Sequence, residues 1–243
     1  MPMAWKRHTL IDVSDAGRAA ILAAYTVDNH GRRAAIDQFS QMLLAEKAGA
    51  RIPGIVRRPD GTVPAACVPV GFCSPWAGTD GRLRVAALVN REEILHVTSP
   101  YALLGLPIPE RTASLRALTA VHRIAGSLGL RLGAWGSAAL ELYTGLPFTH
   151  QESDLDLLVA PAPRDVLACF MDEIRGLEEH FALRVDVELD LPAGYGVQLK
   201  ELLGKGRMVI GKSSSDVALL ARAQVLSQLP DQAGTEVTQI VVN

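Results

Sequence analysis

The run "GSAALELYTGLPFTHQESDLDLLVA", residues 136–160, opens on a glycine–serine pair and closes on two aspartates separated by one leucine. Carboxylates rarely sink into a core unless something pairs with them. "LDLLVA" nonetheless reads as a strand, and in a strand residues two apart project from the same face, about 7 Å apart. Asp154 and Asp156 then point together, while Leu155, Leu157 and Val159 point the other way into a core. Upstream, residues 131–135 read as a short strand, Gly136-Ser137 as a turn and "SAALELYT" as a helix.

Downstream, Val166, Leu167, Phe170, Met171 and Ile174 mark a helix over about 163–178, with Pro163 near its first turn. "LRVDVELDL", 183–191, alternates: Leu183, Val185, Val187 and Leu189 fall on one face, Arg184, Asp186, Glu188 and Asp190 on the other. If the two acidic strands are neighbours, four or five carboxylates share one surface and repel one another unless a counter-charge is present. A divalent cation is the natural counter-charge. Mg²⁺ prefers oxygen ligands, takes one or two carboxylates and completes its shell with water and substrate phosphates, with Mn²⁺ as an alternative. Two such ions about 4 Å apart stabilise both oxygens of an in-line phosphoryl displacement. Asp154 and Asp156 suit the metal role, with a third carboxylate on the second strand. A helix starting at Gly136-Ser137 offers free backbone N–H groups and a positive dipole end to a phosphate. Each element alone is an ordinary solvated feature. Their order, strand, Gly-Ser, helix, Asp-x-Asp strand, acidic strand, carries the reading.

Outward from this unit, Leu115, Leu118, Val121, Ile124 and Leu128 predict a helix over about 111–128, and "YALLGLPIPE", 101–110, reads as a joint. Before the joint lie a helix-prone segment at 15–27 and an amphipathic one from Ile36 with Phe39, Leu43 and Leu44 on one face. A Val/Pro/Gly-rich stretch at 51–75 follows, with Asp60-Gly61 as a hairpin turn, and then the strand candidate "GRLRVAALVN". The expectation is an α+β protein of two domains, residues 1–105 and 106–243.

Composition sets limits. The 243 residues are 49% apolar and 21% charged with a net charge of −2, an ordinary globular profile with no field that would draw the whole chain onto nucleic acid or an anionic membrane. Neither a signal peptide nor a membrane-spanning run is evident, so a cytoplasmic protein is expected. Cys67, Cys73 and Cys169 match neither a disulfide framework nor a zinc-site spacing and are expected to be free, buried thiols.

At these residues the sequence resembles the nucleotidyltransferase superfamily typified by DNA polymerase beta, whose signature is a Gly-Ser or Gly-Gly turn, Asp-x-Asp and a later third carboxylate. The interval from Ser137 to Asp154 is longer than usual there. "WGSAALELYTGLPFTHQESDLDLL" looks specifically like the phosphoribosyl-dephospho-CoA transferases, the holo-acyl-carrier-protein synthases of malonate decarboxylase. Weaker likeness runs through "RHTLIDV", "VPVGF" at 68–72, "RVDVEL" and "MVIGK". The resemblance implies a polymerase-beta-type mixed sheet in the C-terminal domain. It also implies a reaction in which a serine of the acyl-carrier subunit attacks the α-phosphate of triphosphoribosyl-dephospho-CoA and releases pyrophosphate. Asp154 and Asp156 match the metal pair, and Gly136 and Ser137 the phosphate-binding turn. Asp186 and Glu188 both fall near the third carboxylate, and the sequence does not choose between them. In "GVQLKEL", Leu199 stands where that family is expected to carry an aromatic residue. Because the nucleophile belongs to the carrier, no catalytic serine or cysteine is required, and Ser137 reads as a phosphate contact. Two other readings stay open: a transferase using an ordinary nucleoside triphosphate on another acceptor, and a non-catalytic carrier-binding module.

"GRMVIGKS", 206–213, matches a P-loop pattern out of context, since Met208, Val209 and Ile210 are strand residues. Lys212, with Lys205 and Arg207, is a candidate phosphate contact. His122 reads as a boundary or core residue and His150 as a candidate substrate contact, while His8, His30, His96 and His180 show no ligand spacing. Trp135 reads mainly as core packing.

Overall fold

The computed structural model describes residues 6–47, 49–78 and 81–231; the opening MPMAW, read above for a leader, lies outside them. In chain order the elements are β1 Leu10–Val13, α1 Asp15–Asp28, α2 Arg33–Leu44, β2 Glu46–Lys47, β3 Ala50–Arg51, β4 Gly54–Val56, β5 Cys67–Gly78, β6 Gly81–Asn90 and β7 Ile94–Thr98. There follow α3 Ala113–Ser127, β8 Leu132–Trp135, α4 Gly136–Thr144, β9 Leu155–Val159, α5 Arg164–Phe181, β10 Val185–Asp190, β11 Gly196–Gln198, α6 Leu199–Leu203, β12 Met208–Lys212, β13 Val217–Ala221 and α7 Arg222–Leu226. This is the expected α+β organisation. A five-stranded sheet in the order β6-β5-β4-β1-β7 is built from the first half, and a six-stranded sheet in the order β13-β12-β11-β10-β9-β8 from the second.

The first sheet is antiparallel throughout. Its helical cover is tied down by a buried cation that bonds carbonyls: Arg18 is 2% exposed and donates to the carbonyls of Val13, Leu43 and Ile52, joining β1 to the end of α2. β4 and β5 do pair, but the connection is the whole stretch 57–66 rather than a two-residue turn at Asp60-Gly61. Pro59 and Pro64 cannot donate to a ladder, and a fork from Arg57 onto Asp60, 2.8 Å for each bond, shapes the loop instead.

In the second sheet β9 and β10 run parallel, as a strand–helix–strand crossover through α5 requires, and the other pairs are antiparallel. Thr112 caps α3 through its hydroxyl, and Leu115, Leu118, Val121 and Ala125 make its buried stripe. Leu167, Phe170, Met171 and Ile174 do the same for α5. Both helices pack over one face of the sheet, above Leu155, Leu157, Val159, Val185, Val187 and Leu189. That leaves the acidic face turned toward the first half of the chain. There Gly133 lies so close to Pro100 and Tyr101 that a Cβ would meet their backbone at 3.0–3.1 Å.

The thiols are free, but Cys67 and Cys73 are half-buried and Cys169 is exposed, on the outward side of α5 between the buried Leu167 and Phe170. Among the described residues no helix is long and apolar enough to cross a membrane.

Candidate active site at the domain junction

β8 delivers the chain to Gly136 at φ +66°, a left-handed value that a side chain would strain. A Cβ there would lie 2.3 Å from Asp156 Oδ2, so the carboxylate packs directly on the glycine Cα. α4 begins at this point with no side-chain cap, and its first N–H groups are free to face an anion. Ser137 Oγ stands 3.5 Å from Arg82 Nη1, which also donates to the Phe148 carbonyl.

Across the sheet, Trp135, Asp156 and Asp186 form one row in register, neighbours about 4.8 Å apart. Arg184 forks onto Asp186 at 2.6 and 2.8 Å. Asp156 has no such partner among the described residues. Burial, then the charges of Asp186, Asp154 and Glu188, push its carboxyl up to about 7. Asp154, just ahead of β9, is exposed at the mouth of the site.

Glu188 lies one row deeper and is 2% exposed. Arg7 Nη1 reaches its Oε2 at 3.2 Å and His8 Nε2 at 3.3 Å. Burial would raise Glu188, but the His8 hydrogen bond and the Arg7 charge hold it below its ordinary value. An ionised carboxylate only accepts, so His8 Nε2 carries the proton. Burial pushes the imidazole itself below its ordinary value. His8 sits at φ +66° with its ring stacked on Trp135, centroids 3.9 Å apart. Lys6 and the Tyr101 hydroxyl complete the series on Asp190, at 3.1 and 3.2 Å.

The segment between α4 and β9 is anchored by Glu141. Its carboxylate accepts from the Thr149 N–H and hydroxyl, each at 2.7 Å, and from an Arg111 fork at 2.8 and 2.9 Å. A tight turn at 150–153, closed by His150 N–H to Ser153 Oγ at 2.9 Å, then presents Asp154.

Two open basins meet at this row. One, about 810 Å³, is lined by Arg7, Arg58, Arg84, Trp135 and Lys212. The other, about 960 Å³, is lined by Arg82, Arg84, Arg111, His150 and Asp154. Arg84, Ser137 and Asp156 belong to both. Among the described residues no three or more His, Cys, Asp or Glu side chains gather into a metal cage. The donor set fits Mg²⁺ in another way: oxygens from one or two carboxylates, short of counter-charge, with room for phosphates to supply the rest.

Residues 6–100 match the family model described as phosphoribosyl-dephospho-CoA transferase MdcG N-terminal domain, and residues 105–223 that described as the MdcG C-terminal domain. A phosphoribosyl-dephospho-CoA transferase of Xanthomonas euvesicatoria pv. vesicatoria is 30% identical over 189 residues, 78% of this chain and 88% of that protein. The chain belongs to the phosphoribosyl-dephospho-CoA transferase family. Relatives of the same name are 36% identical in Pseudomonas aeruginosa, over 60% of this chain and 62% of that one, and 28% identical in Bradyrhizobium diazoefficiens, over 91% and 92%. No solved structure matches.

In this family member the fold brings Gly136, Ser137, Asp154, Asp156 and Asp186 to one place. Glu188 is spent on the contact with Arg7 and His8. Lys212 is on the rim of the first basin, and its carbonyl accepts from Arg7 at 3.1 Å; Lys205 and Arg207 line neither basin. "GRMVIGKS" runs through β12, with no phosphate loop, and only Val209 and Gly211 of that strand are buried. Leu199 is fully buried and His122 fully on the surface of α3. Trp135 is half-buried and faces the cleft. Residue patterns missed Arg7, His8, Arg82, Arg84, Arg111 and Glu141. For Arg82 and Arg84 a signal existed, since their spacing in "GRLRVAALVN" places them on one face of a strand.

Proposed function

We propose that this protein transfers phosphoribosyl-dephospho-CoA from triphosphoribosyl-dephospho-CoA to a serine of the acyl-carrier subunit of malonate decarboxylase, with release of pyrophosphate. Family membership supports the transferred group. The observation that carries the chemistry is the packing of Asp156 on Gly136 at the uncapped start of α4, inside an arginine-lined cleft. An oxygen–phosphorus bond forms from the carrier serine to the α-phosphorus, and the α–β bridging bond breaks with its electron pair leaving on pyrophosphate. Asp154 and Asp156 would hold Mg²⁺, or Mn²⁺, which when bound would neutralise phosphate charge. We assign the third carboxylate to Asp186 because it lies in register beside Asp156 and is paired only with the exposed Arg184, whereas Glu188 is buried one row deeper against Arg7 and His8; Asp186 takes the serine proton. The first turn of α4 and Ser137 cradle the phosphates, with Lys212 on the rim. Residues 106–243 form the catalytic domain, and 1–105 a domain that closes over the substrate or helps to seat the carrier. A donor built on CoA places the reaction in the cytoplasm.

The test is intact-mass measurement of the apo carrier subunit incubated with this protein, Mg²⁺ and the donor, beside Asp154→Ala. The expected result is a gain of one phosphoribosyl-dephospho-CoA group, absent with the variant. An unchanged carrier mass with wild-type protein, or modification only from ordinary nucleoside triphosphates, would overturn the assignment of substrate.

A further inference from the structure

Arg82 and Arg84 of β6 lie two apart and share a face of their strand, while Val85 and Val89 enter the core from the other. Arg82 is committed, to the Phe148 carbonyl and toward Ser137. Arg57, on the neighbouring wall, is likewise committed to Asp60. Arg84 differs. Its side chain is exposed and makes no hydrogen bond or ion pair with any described residue. An exposed, unpaired arginine is ordinarily a solvated surface group, and position is what separates this one from that description. Arg84 is the single cation common to both basins, in the company of Ser137 and Asp156. A phosphate chain whose α-phosphorus lies at Asp156 and whose oxygens lie at the start of α4 must pass through that shared space.

We propose that Arg84 is a catalytic residue contributed by the N-terminal domain, its guanidinium forking onto the β- and γ-phosphate oxygens of the donor. The role rests on the reaction proposed above. In that reaction charge builds on pyrophosphate as the α–β bond breaks, and a planar two-pronged cation matches two phosphate oxygens in a way that an ammonium does not. It also explains why β6 reaches across to the other domain. Arg82 fixes the strand to the Phe148 carbonyl, and Arg84 two residues on is thereby aimed and left free.

Two measurements on the full-length protein test this. In the carrier-modification assay, Arg84→Ala should lower kcat by about 10²-fold or more. Arg84→Lys should recover a minor part of the loss, and added guanidinium should restore Arg84→Ala toward wild type, which it would not do for a misfolded chain. In calorimetric titration with inorganic tripolyphosphate and Mg²⁺, Arg84→Ala should bind at least tenfold more weakly than wild type, with an unchanged melting temperature. Tripolyphosphate binding that is equal in the two proteins overturns the proposal whether or not the donor has been correctly assigned. A wild type that binds tripolyphosphate through Arg84 yet leaves the carrier unmodified overturns the reaction and keeps the site.

Discussion

At the scale of the residue, Asp156 shows how a site can oppose its own fold. Its carboxyl ionises near 7 because burial and three neighbouring carboxylates disfavour the charge, against 3.8 for a free side chain. A folded-state value above the unfolded one means that the native protein holds the proton more tightly, so stability falls as pH rises through the interval from about 4 to 7. Each unit is worth about 1.4 kcal/mol. In metal-free protein at pH 8, Asp156→Asn should therefore be more stable than wild type by something on the order of 2–4 kcal/mol, with the gap closing toward pH 4 where both side chains are neutral. Thermal denaturation at the two pH values measures it, and a wild type that is the more stable at pH 8 would refute it. Added Mg²⁺ should raise the melting temperature of the wild type and leave the variant nearly unmoved. This much of the site was legible in the sequence, because a two-residue spacing in a strand fixes a shared face and Gly136 has no Cβ to keep Asp156 away. What the pattern could not show is that Glu188, on the same face by the same arithmetic, is neutralised by partners from the far end of the chain.

At the scale of the element, helices and strands follow from periodicity, and the expected spans at 111–128, 163–178 and 183–191 appear as α3, α5 and β10 within a few residues. Connections are harder, because their shape depends on single hydrogen bonds rather than repeated ones. The stretch 57–66 became a loop held by Arg57 and Asp60, and the insert before Asp154 hangs from Glu141. That glutamate reads as an ordinary helix residue in "SAALELYT", yet it is 4% exposed and ties Arg111 to both polar groups of Thr149. Burial alone would raise its pKa, but the Arg111 fork and the two Thr149 bonds hold it below the usual glutamate value. The stabilisation is thus fully present above the ordinary value and is lost as pH falls through the lowered one. Glu141→Gln should cost about 1–3 kcal/mol at pH 7 by weakening charge-assisted bonds to a buried acceptor. The deficit relative to wild type should shrink as acid protonates the native glutamate. Urea denaturation at pH 7 and at low pH separates the two, and carrier modification should slow as the loop that positions Asp154 loosens. Equal stability at pH 7 would show that Arg111 and Thr149 do not depend on the charge.

At the scale of the whole molecule, the two sheets are joined by Lys6, Arg7 and His8 laid across the acidic face of the other half. Arg7 and Glu188 stand 181 positions apart, beyond the reach of any periodicity, which is why the sequence offered a divalent cation, and no protein group, as the counter-charge for that face. Neutralisation is instead shared out. The N-terminal segment neutralises Glu188 and Asp190, Arg184 neutralises Asp186, and Asp154 and Asp156 are left without an ion pair among the described residues. Docking the domains therefore also shapes the active site. A buried ion pair that loses one partner leaves the other charge stranded, at a cost of about 3–5 kcal/mol. Arg7→Met should incur a penalty of that size, reduced by whatever His8 can still supply, and should slow carrier modification because β6 and Arg84 are no longer held over Asp156. Adding Glu188→Gln to the same chain removes the stranded charge and should recover most of the lost stability. The coupling energy from the four proteins of the double-mutant cycle, read by denaturant unfolding, should be at least about 1 kcal/mol in favour of the pair. Strict additivity would mean that this pair contributes nothing to holding the two domains together. Recovery of stability in the double variant with no recovery of rate would locate the functional loss in the orientation of the domains rather than in their folding.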